Sequence, residues 1–342
     1  MLVSAIILMR NEERFVGACL ESLVRQAEGH NCEVLCVDGM STDRTAEIVR
    51  GYATKHDCVR LIENPRKIAP AGMNVGIQHA RGKYILILGC HAEYAPDYIA
   101  QCLEVLDRTG ADEVGGYMTT QPGRDTPTGR AIAAATSCRF GVGNSMFRLS
   151  GPEQEVDTVP FGMYRREVFD RVGSYDERLV RNQDIEINSR LKRAGGRIVI
   201  SPQIRLSYFN RATYAGLSQQ AYNNGLWNPY TIWLVGSGLS VRHFVPMFFA
   251  LSLAILSVGG LIFKPLWFLL AAEMALYAAV AGYFAITLAP VAKASPLRML
   301  WAFVTLHLGY GIGSLWGLLT IPFKFPNRKA GTAGPPLANR KT

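Results

Sequence analysis

The C-terminal third of the chain has almost no acidic side chains. Residues 244–342 contain eight Lys or Arg and one acid, Glu273, whereas residues 1–243 contain 28 basic and 26 acidic side chains. The excess of nine positive charges in the whole chain therefore lies mostly in this third. A nucleic-acid-binding domain carries its positive charge on the folded surface that contacts the phosphates. Because the first 243 residues are nearly balanced in charge, we do not expect nucleic acid as a partner.

Charge is also scarce in three long apolar stretches of this third. The stretches are 244–263, 265–288 and 299–323. They contain no Asp, Glu, Lys, Arg or His other than Glu273 in the second and His307 in the third. About 20 apolar residues in a helix cross the roughly 30 Å core of a bilayer, and stretches without a polar face are unlike helices of a soluble core. The sequence predicts a membrane region over 244–323 with two or three transmembrane segments, followed by a basic tail, 324–342.

The third stretch, 299–323, allows two interpretations. Its glycines, Gly309, Gly311, Gly313 and Gly317, suit either close helix packing or a re-entrant segment. A cytoplasmic domain followed by three spans would place the basic tail outside, against the preference of Lys and Arg for the cytoplasmic side. We therefore predict that this stretch is re-entrant or interfacial, or that the tail violates that preference.

The cysteines do not suggest an extracellular disulfide framework. The chain has seven, an odd number, and all precede residue 139. Cys32 and Cys36 share one face of a predicted strand, but no second Cys or His pair lies nearby to complete a zinc site, which favours core packing. The opening residues, MLVSAIILMRNEE, lack the basic region of a signal peptide. We expect the N-terminal domain to lie in the cytoplasm, with reduced thiols.

Short apolar strands alternate with amphipathic helices over the first 240 residues. The predicted strands are 3–8, 32–38, 59–63 and 84–89, and the predicted helices lie near 12–27, 42–56, 70–81 and 96–108. This alternation predicts an α/β fold with a mainly parallel sheet and helices on both faces. Such sheets bind ligands beyond the carboxyl ends of their strands. The candidate ligand-binding residues are therefore Asn11, Glu12, Asp38, His91 and Glu93, which follow strands.

Each of these residues also has a purely structural interpretation. Asp38 stands before Gly39 at the rim of the predicted sheet, where its carboxylate can bind a ribose or a uracil N–H, or form an Asx turn or helix cap. Asp43 is a better candidate for the cap of the next helix, and Asn11 and Glu12 could cap the first one. No single motif decides between these interpretations.

Taken together and in order, the motifs resemble those of family 2 glycosyltransferases. The matching segments are VSAIILMRNEERFVGACLESLVRQ, EVLCVDGMSTDRTAEIV, APAGMNVGIQHARGKYILIL, PFGMYRREVFDRVGSYDERLVRNQDIEINSRLKRAGGRI and NNGLWNPY. Within that family the chain is similar to succinoglycan-type exopolysaccharide glucosyltransferases, which carry C-terminal membrane helices. The resemblance covers about residues 1–230 and implies a Rossmann-like GT-A fold. We expect residues 1–230 to form a cytoplasmic GT-A domain and 231–243 an interfacial linker.

The resemblance assigns roles to five of the residues. Asp38 matches the acid that binds uracil, Asn11 and Glu12 lie in the loop that lines the nucleotide, and Asn74 matches an Asn of the family. Asp184, in NQDIEIN, matches the catalytic base. Inversion by direct displacement needs a carboxylate that takes the proton of the acceptor hydroxyl. A structural alternative remains for Asp184, because an acid in the first turn of a helix also stabilises the helix dipole.

The family motif after the fourth strand is altered in this chain. Relatives usually have Asp-x-Asp there, with the second acid on Mg²⁺ or Mn²⁺, and the most similar subgroup has Asp-x-His. This chain has Gly89 and His91 at those two positions. We expect His91 to contact a divalent cation, Mn²⁺ or Mg²⁺, or the donor diphosphate, and imidazole suits Mn²⁺ better. Glu93 would restore the negative charge of the missing Asp if the loop turns. The alternative for His91 is a place at the rim of the sheet, and the alternative for Glu93 is a solvated turn.

The segment before the first apolar stretch resembles an acceptor-binding motif. Processive relatives carry Gln-x-x-Arg-Trp, and Asn223, Leu226 and Trp227 occupy those positions here. We expect Trp227 to stack on the acceptor sugar, because an indole face binds sugar C–H groups through burial and dispersion. The missing Arg and the small number of apolar stretches favour the addition of a single sugar. An ordinary aromatic core helix is the alternative, although the many Tyr and Trp residues suit a membrane interface.

The sequence thus predicts an inverting glycosyltransferase at a bacterial-type inner membrane, with its catalytic domain in the cytoplasm. It would transfer one sugar, glucose by resemblance, from a UDP-sugar to a polyprenyl-diphosphate-linked oligosaccharide in exopolysaccharide biosynthesis. Two alternatives remain open. One is transfer directly to polyprenyl phosphate, and the other is a relative that binds nucleotide without catalysis, suggested by Gly89 and by Gln183, which replaces a Glu common in the family.

Overall fold

The computed structural model describes residues 1–236 and 238–325. Within this part the chain forms two compact units. The first contains residues 1–119 and 150–208, and the second contains residues 120–149 and the chain from Phe209 onward. The sequence had suggested a boundary at residue 230, which lies inside a continuous helix of the second unit. The predicted tail lies outside the described residues from 326 onward.

Strands and helices alternate along the described chain as the hydrophobic pattern predicts. In order they are β1 (Val3–Met9), α1 (Val16–Gly29), β2 (Cys32–Asp38), α2 (Thr45–Ala53), β3 (Val59–Glu63), α3 (Ala69–His79), β4 (Tyr84–Gly89), β5 (Ala92–Tyr94), α4 (Tyr98–Thr109), β6 (Glu113–Gln121), α5 (Pro127–Ala135), α6 (Arg139–Val142), β7 (Gln154–Glu155), β8 (Met163–Arg165), α7 (Glu167–Val172), α8 (Gln183–Arg193), β9 (Ile198–Phe209), α9 (Tyr214–Val235), α10 (Val245–Ile262), α11 (Leu266–Ala292) and α12 (Pro296–Lys324).

One mixed sheet organises the first unit. Its order is β3-β2-β1-β4-β8-β6-β9-β5, and β7 pairs with β9. The strands β1 to β4 are mutually parallel, whereas β8 joins β4 in the antiparallel sense. The prediction of a mainly parallel sheet with flanking helices is confirmed. Every residue of β2 is buried, as expected for a strand with helices on both faces.

The strand order reverses between β1 and β4. The chain builds β1, β2 and β3 toward one edge and then returns to place β4 on the other side of β1. Loops leave such a switch point in opposite directions, which opens a crevice beyond the carboxyl ends of the strands. The residues after Met9, Asp38 and Gly89 are therefore the ones that a ligand would meet.

The second unit contains three helices long and apolar enough to cross a membrane. They run over Val241–Ile262, Leu266–Ala292 and Pro296–Lys324, close to the predicted stretches. The prediction of a re-entrant last stretch is not supported, because α12 is one unbroken helix of 29 residues. At 1.5 Å per residue it is about 43 Å long, and it contains no turn that would bring the chain back.

Helix α9 lies parallel to α12 over most of its length. The Tyr214 hydroxyl donates to the Arg298 carbonyl at 3.0 Å near their starts, and Tyr230 and Thr320 share a hydrogen bond of 2.6 Å near their ends. A side chain at Gly313 would collide with the Tyr222 carbonyl of α9. The glycines of α12 therefore allow close helix packing, the first of their two interpretations.

Candidate active site

The loops beyond the carboxyl ends of the parallel strands adopt unusual backbone conformations. Asn11, Met40 and Lys67, which follow β1, β2 and β3, have φ values of 57°, 58° and 60°. Phe161 before β8 and Asn182 before α8 have φ values of 50° and 61°. A non-glycine residue in this left-handed region costs about 1–3 kcal/mol, and such residues concentrate at functional sites. Asn31 before β2 and Lys293 after α11 share this conformation, but the other five described residues concentrate in loops of the first unit, three of them at the strand ends that the strand order marks.

Asp38 ends β2 with its side chain almost fully buried. Its Oδ2 accepts from the Ser41 N–H at 3.0 Å and its Oδ1 from the Ser41 hydroxyl at 2.5 Å. These bonds form the turn that the structural interpretation of Asp38 predicted. Each carboxylate oxygen has two lone pairs, so the turn leaves acceptor capacity for a ligand. The structural interpretation and a ligand-binding role are compatible at this residue.

The loop after β1 is bonded to the loop after β2. Asn11 donates its N–H to the Ser41 hydroxyl at 2.9 Å and accepts from the Thr42 N–H at 2.8 Å. Glu12 donates its N–H to the Thr45 hydroxyl at 2.7 Å. The Glu12 carbonyl also accepts from the N–H groups that begin α1. Two predicted nucleotide-lining residues are thus fixed against the turn that holds Asp38.

Glu12 and His91 lie side by side, although sequence alone did not connect them. His91 Nε2 is 3.0 Å from Glu12 Oε1, and the edge of the Phe15 ring packs on the imidazole at 4.6 Å between centroids. Both side chains remain partly accessible. An imidazole nitrogen beside a carboxylate oxygen forms a ligand pair acceptable to Mn²⁺.

These two residues fit the divalent cation that the family implies, if donor oxygens complete its coordination. The described residues contain no group of three or more His, Cys, Asp or Glu side chains able to hold a metal ion. Cations that act on nucleotides usually bind through one or two protein ligands and the substrate phosphates. His91 and Glu12 are therefore the residues that would hold the cation.

Gly89 stands where relatives carry the first acid of the metal motif. A Cβ at this position would lie 3.1 Å from the Phe161 ring. The Gly89 backbone N–H and carbonyl both bond the Tyr94 hydroxyl at 3.0 Å, and the Tyr98 hydroxyl donates to the Phe161 carbonyl at 2.8 Å. A ring thus packs where an acidic side chain would begin. Phe161 is not identifiable from the sequence alone, because no short sequence motif contains both Phe161 and Gly89.

Glu93 does not turn back toward His91. The chain continues after His91 as β5, which pairs with β9 so that Glu93 lies opposite Ser207. The side chain of Glu93 is exposed, whereas Ala92 and Tyr94 on either side are buried. The turn on which its predicted role depended is absent from this described segment, because strand pairing holds the chain extended.

The side chain of Asn74 is engaged with the loop before α8. Its Oδ1 accepts from the Tyr175 N–H at 2.9 Å, and its Nδ2 donates to the Tyr175 carbonyl at 3.0 Å and to Glu177 Oε1 at 2.8 Å. Asn74 is buried in α3. These bonds fasten α3 to the chain that leads to Asp184, so the described contacts of Asn74 position that loop.

Asp184 lies in the first turn of α8, two residues after the strained Asn182. The residue is solvent-exposed, yet enough protein surrounds the carboxyl that lost solvation raises its pKa, against hydrogen bonds from the N–H groups of Asp184 and Ile185. Farther along α8, Arg190 bonds both oxygens of Glu186 at 2.7 Å. An accessible carboxyl on a fixed helix can take a proton from an acceptor hydroxyl, in addition to any effect on the helix dipole.

Trp227 belongs to α9 in the second unit. Its ring lies edge-on to Tyr230 at 5.5 Å. The Lys324 ammonium lies 5.3 Å from the Trp227 ring and 4.9 Å from the Tyr230 ring. A cation from α12 thus contacts the Trp whose neighbouring Arg is missing from the sequence motif. This contact joins residues almost 100 positions apart, so no local pattern indicates it.

Comparison with known proteins identifies the first part of the chain. Residues 4–173 match the sequence model described as Glycosyl transferase family 2. The succinoglycan biosynthesis protein ExoA of Rhizobium meliloti (strain 1021) is 32% identical over 217 residues, 63% of this chain and 65% of that protein. The match thus spans slightly less than two thirds of ExoA.

A second relative and a solved structure are also glycosyltransferases. The dolichyl N-acetyl-alpha-D-glucosaminyl phosphate 3-beta-D-2,3-diacetamido-2,3-dideoxy-beta-D-glucuronosyltransferase of Methanococcus voltae is 26% identical over 65% of this chain and 71% of its own. The mannosyltransferase PcManGT of Pyrobaculum calidifontis, solved with GDP-Man and Mn²⁺, is similar in fold with a TM-score of 0.57 and 19% identity, over 92% of this chain and 87% of its own. The protein therefore carries a family 2 glycosyltransferase domain of GT-A fold.

Proposed function

We propose that the protein transfers one sugar, with inversion, from a UDP-sugar to a lipid-linked saccharide during exopolysaccharide assembly. One observation carries the proposal. Residues at the ends of β1, β2 and β4 form a connected group. The Asp38 carboxylate accepts from the Ser41 hydroxyl, that hydroxyl accepts from the Asn11 N–H, and the Glu12 carboxylate contacts the His91 imidazole. A nucleoside diphosphate presents a base, a ribose and charged phosphates together, and this group offers a carboxylate, an amide and an imidazole to meet them.

The residues divide the chemistry between donor binding and base catalysis. Asp38 and Asn11 would hold the nucleoside, and His91 with Glu12 would hold the cation, which when bound neutralises charge on the diphosphate. Asp184 would take the proton of the acceptor hydroxyl while the oxygen of that hydroxyl bonds to the anomeric carbon. The bond from that carbon to the diphosphate breaks, and its electron pair leaves with the UDP. Attack opposite the leaving group inverts the anomeric centre.

The proposed acceptor is a saccharide on polyprenyl diphosphate. Support comes from the helices able to cross a membrane, and from the names of two relatives, one for succinoglycan biosynthesis and one for a dolichyl-linked sugar. We place the protein in the inner membrane of a bacterium, with its catalytic domain in the cytoplasm, on the same grounds. Trp227 would stack on the acceptor sugar, and Asn74 would hold the loop that leads to Asp184. Transfer directly to polyprenyl phosphate would use the same donor residues.

The base assignment predicts the effect of Asp184→Asn. This change keeps the shape of the side chain and removes its ability to take a proton, so we expect turnover to fall about 100-fold or more while nucleotide binding persists. Membranes containing the full chain would be incubated with radiolabelled UDP-glucose, UDP-N-acetylglucosamine or GDP-mannose, and label in the lipid extract would be counted. Titration of purified protein with UDP would measure binding.

Asp57→Asn supplies a matched control. Asp57 is exposed and precedes β3, at the opposite edge of the sheet, so this change should leave both readouts at the native level. Unchanged turnover in Asp184→Asn would refute the base. Label from GDP-mannose alone would refute the choice of uracil nucleotide, and binding of UDP without transfer to any lipid would favour the non-catalytic alternative.

A further inference from the structure

A second carboxyl group lies buried beside α8. Glu113 is the first residue of β6 and is fully inaccessible to solvent. It pairs in register with Tyr164 of the neighbouring strand β8. A side chain at Gly162 would collide with Glu113 Oε1. The carboxyl therefore fills space that the glycine leaves open, in the interior of the first unit.

This carboxyl has no cation against it. Neither oxygen makes a hydrogen bond of ordinary geometry within the part of the chain that the structure describes. The groups that act on it are the Tyr164 hydroxyl and the Asn188 amide. Arg190 on α8 gives its bonds to Glu186 and to the Val172 and Ser174 carbonyls. Burying an unpaired carboxylate costs so much that the group is expected to stay protonated.

The same neighbours connect Glu113 to Asp184. Asn188 lies one turn after Asp184 on α8, its Oδ1 accepts from the Tyr164 hydroxyl at 3.1 Å, and its Nδ2 donates to the Thr158 hydroxyl at 3.1 Å. Burial raises the pKa of Glu113 well above its ordinary value, Tyr164 and Asn188 oppose that rise, and the charge of Asp184 adds to it. Both burial and a charge on Asp184 therefore oppose the ionisation of Glu113.

We propose that Glu113 is a positioning residue of the catalytic centre. As a neutral carboxylic acid packed beside Tyr164 and Asn188, it would hold the first turns of α8 in place and thereby fix the position of Asp184. The proposal rests on Asp184 being the base of the proposed function. Because the hydroxyl of a neutral acid can donate and its carbonyl can accept, Glu113 suits the mixed donors and acceptors of Tyr164 and Asn188. An ionised Glu113 would instead place a second negative charge behind Asp184.

The consequence is a loss of turnover at alkaline pH. The ionisable groups that interact electrostatically with Glu113 are Tyr164 on β8, Tyr175 before α8 and Asp184 on α8, whereas the charge of Arg190 acts on Tyr175. None supplies a free positive charge to an ionised Glu113. Deprotonation would therefore displace α8 and reduce the rate, whereas an amide at position 113 cannot ionise.

The test is the pH profile of Glu113→Gln in the full-length protein. Release of UDP from UDP-glucose by hydrolysis would be measured, with Glu155→Gln as the matched control, since Glu155 is an exposed acid paired with Arg197. We expect Glu113→Gln to keep turnover within about threefold at neutral pH and to lose the alkaline fall of the native enzyme, whereas Glu155→Gln keeps the native profile. The same alkaline fall in Glu113→Gln overturns the proposal.

Glu113→Leu distinguishes positioning from simple filling of space. It keeps the approximate volume and removes the carboxyl group, so kcat should fall about tenfold or more with KM for UDP-glucose little changed. A native kcat in this variant contradicts the proposal. If Glu113→Leu does not fold, Glu113→Gln alone decides.

Infrared spectroscopy provides a readout that does not depend on turnover. The native protein at neutral pH should show the C=O stretch of a protonated carboxylic acid that Glu113→Gln lacks and that Asp184→Asn retains. Absence of the band from the native protein overturns the inference and leaves the base assignment intact. Full turnover in Asp184→Asn, with the band present, removes the base and with it the positioning role of Glu113.

Discussion

His91 shows what one residue in the sequence can and cannot predict. Its place after β4 and its match to a metal motif indicated a donor-binding role, and the same reasoning placed Glu12 after β1. The contact between them depends on β1 and β4 being neighbours, which no local pattern reveals. The hydrogen bonds of Asn74 to Tyr175 and the burial of Glu113 beneath α8 depend equally on distant pairings.

Removal of the His91 imidazole should weaken nucleotide binding that depends on Mn²⁺. If His91 and Glu12 hold the cation, His91→Ala removes one ligand, and the Kd for UDP in Mn²⁺ should rise about tenfold or more while the Kd without metal changes little. Calorimetric titration of purified protein with and without Mn²⁺ measures both values, and Mg²⁺ should support binding no better than Mn²⁺ does.

The protein contains a matched control for this change. His56 forms a similar pair with Glu28, at 2.9 Å on the surface, away from the strand ends, so His56→Ala should leave both Kd values unchanged. An equal loss of binding with and without Mn²⁺ in His91→Ala would instead indicate direct contact between His91 and the phosphates.

At the scale of elements, the hydropathy pattern located α10 to α12 but gave no indication of how α9 packs. Helix α9 carries no charged side chain over its 22 residues, yet its polar residues keep it below the hydropathy of a typical span. Its contact with α12 depends on glycines spaced four apart, Gly309, Gly313 and Gly317, against small residues and backbone of α9. Such packing depends on shape, which a count of apolar residues does not measure.

A large side chain at this contact should separate the two helices. Gly313→Leu would place its side chain against the Tyr222 carbonyl, and we expect the free energy of unfolding to fall by about 1–3 kcal/mol, the usual cost of overpacking. Thermal unfolding of the detergent-solubilised protein measures the effect. Gly282→Leu on α11 is the control, because no atom lies within 4 Å of a Cβ there. Equal melting temperatures of the two variants would contradict the packing argument.

At the scale of the whole molecule, the division of the chain was the least predictable feature. Residues 120–149 precede much of the sheet in sequence, yet they belong to the unit that contains α9 to α12. The reason is a shared core, in which Ala131, Ile132 and Ala135 of α5 pack with Leu217, Met299, Ala302 and Phe303. The amphipathic pattern of α5 reveals an apolar face but not the distant helices that cover it.

The unbroken α12 leads to a prediction for the topology of the full chain. If the catalytic domain is cytoplasmic and α10, α11 and α12 each cross once, the loop at Lys264 lies outside, the loop at Lys293 lies inside, and the C-terminus lies outside. Lys324 at the end of α12 would then stand on the side that basic residues avoid. Its ammonium contacts the rings of Trp227 and Tyr230, and such cation–π contacts reduce the cost of that position by about 0.5–2 kcal/mol. Because this contact would hold Trp227 on the outer side as well, crossing by α12 would exclude Trp227 as a cytoplasmic acceptor platform. Reporters active only outside the cytoplasm, fused after Lys264, Lys293 or Thr342, should be active, inactive and active if α12 crosses. An inactive reporter after Thr342 would show that α12 does not cross and would leave Trp227 on the cytoplasmic side.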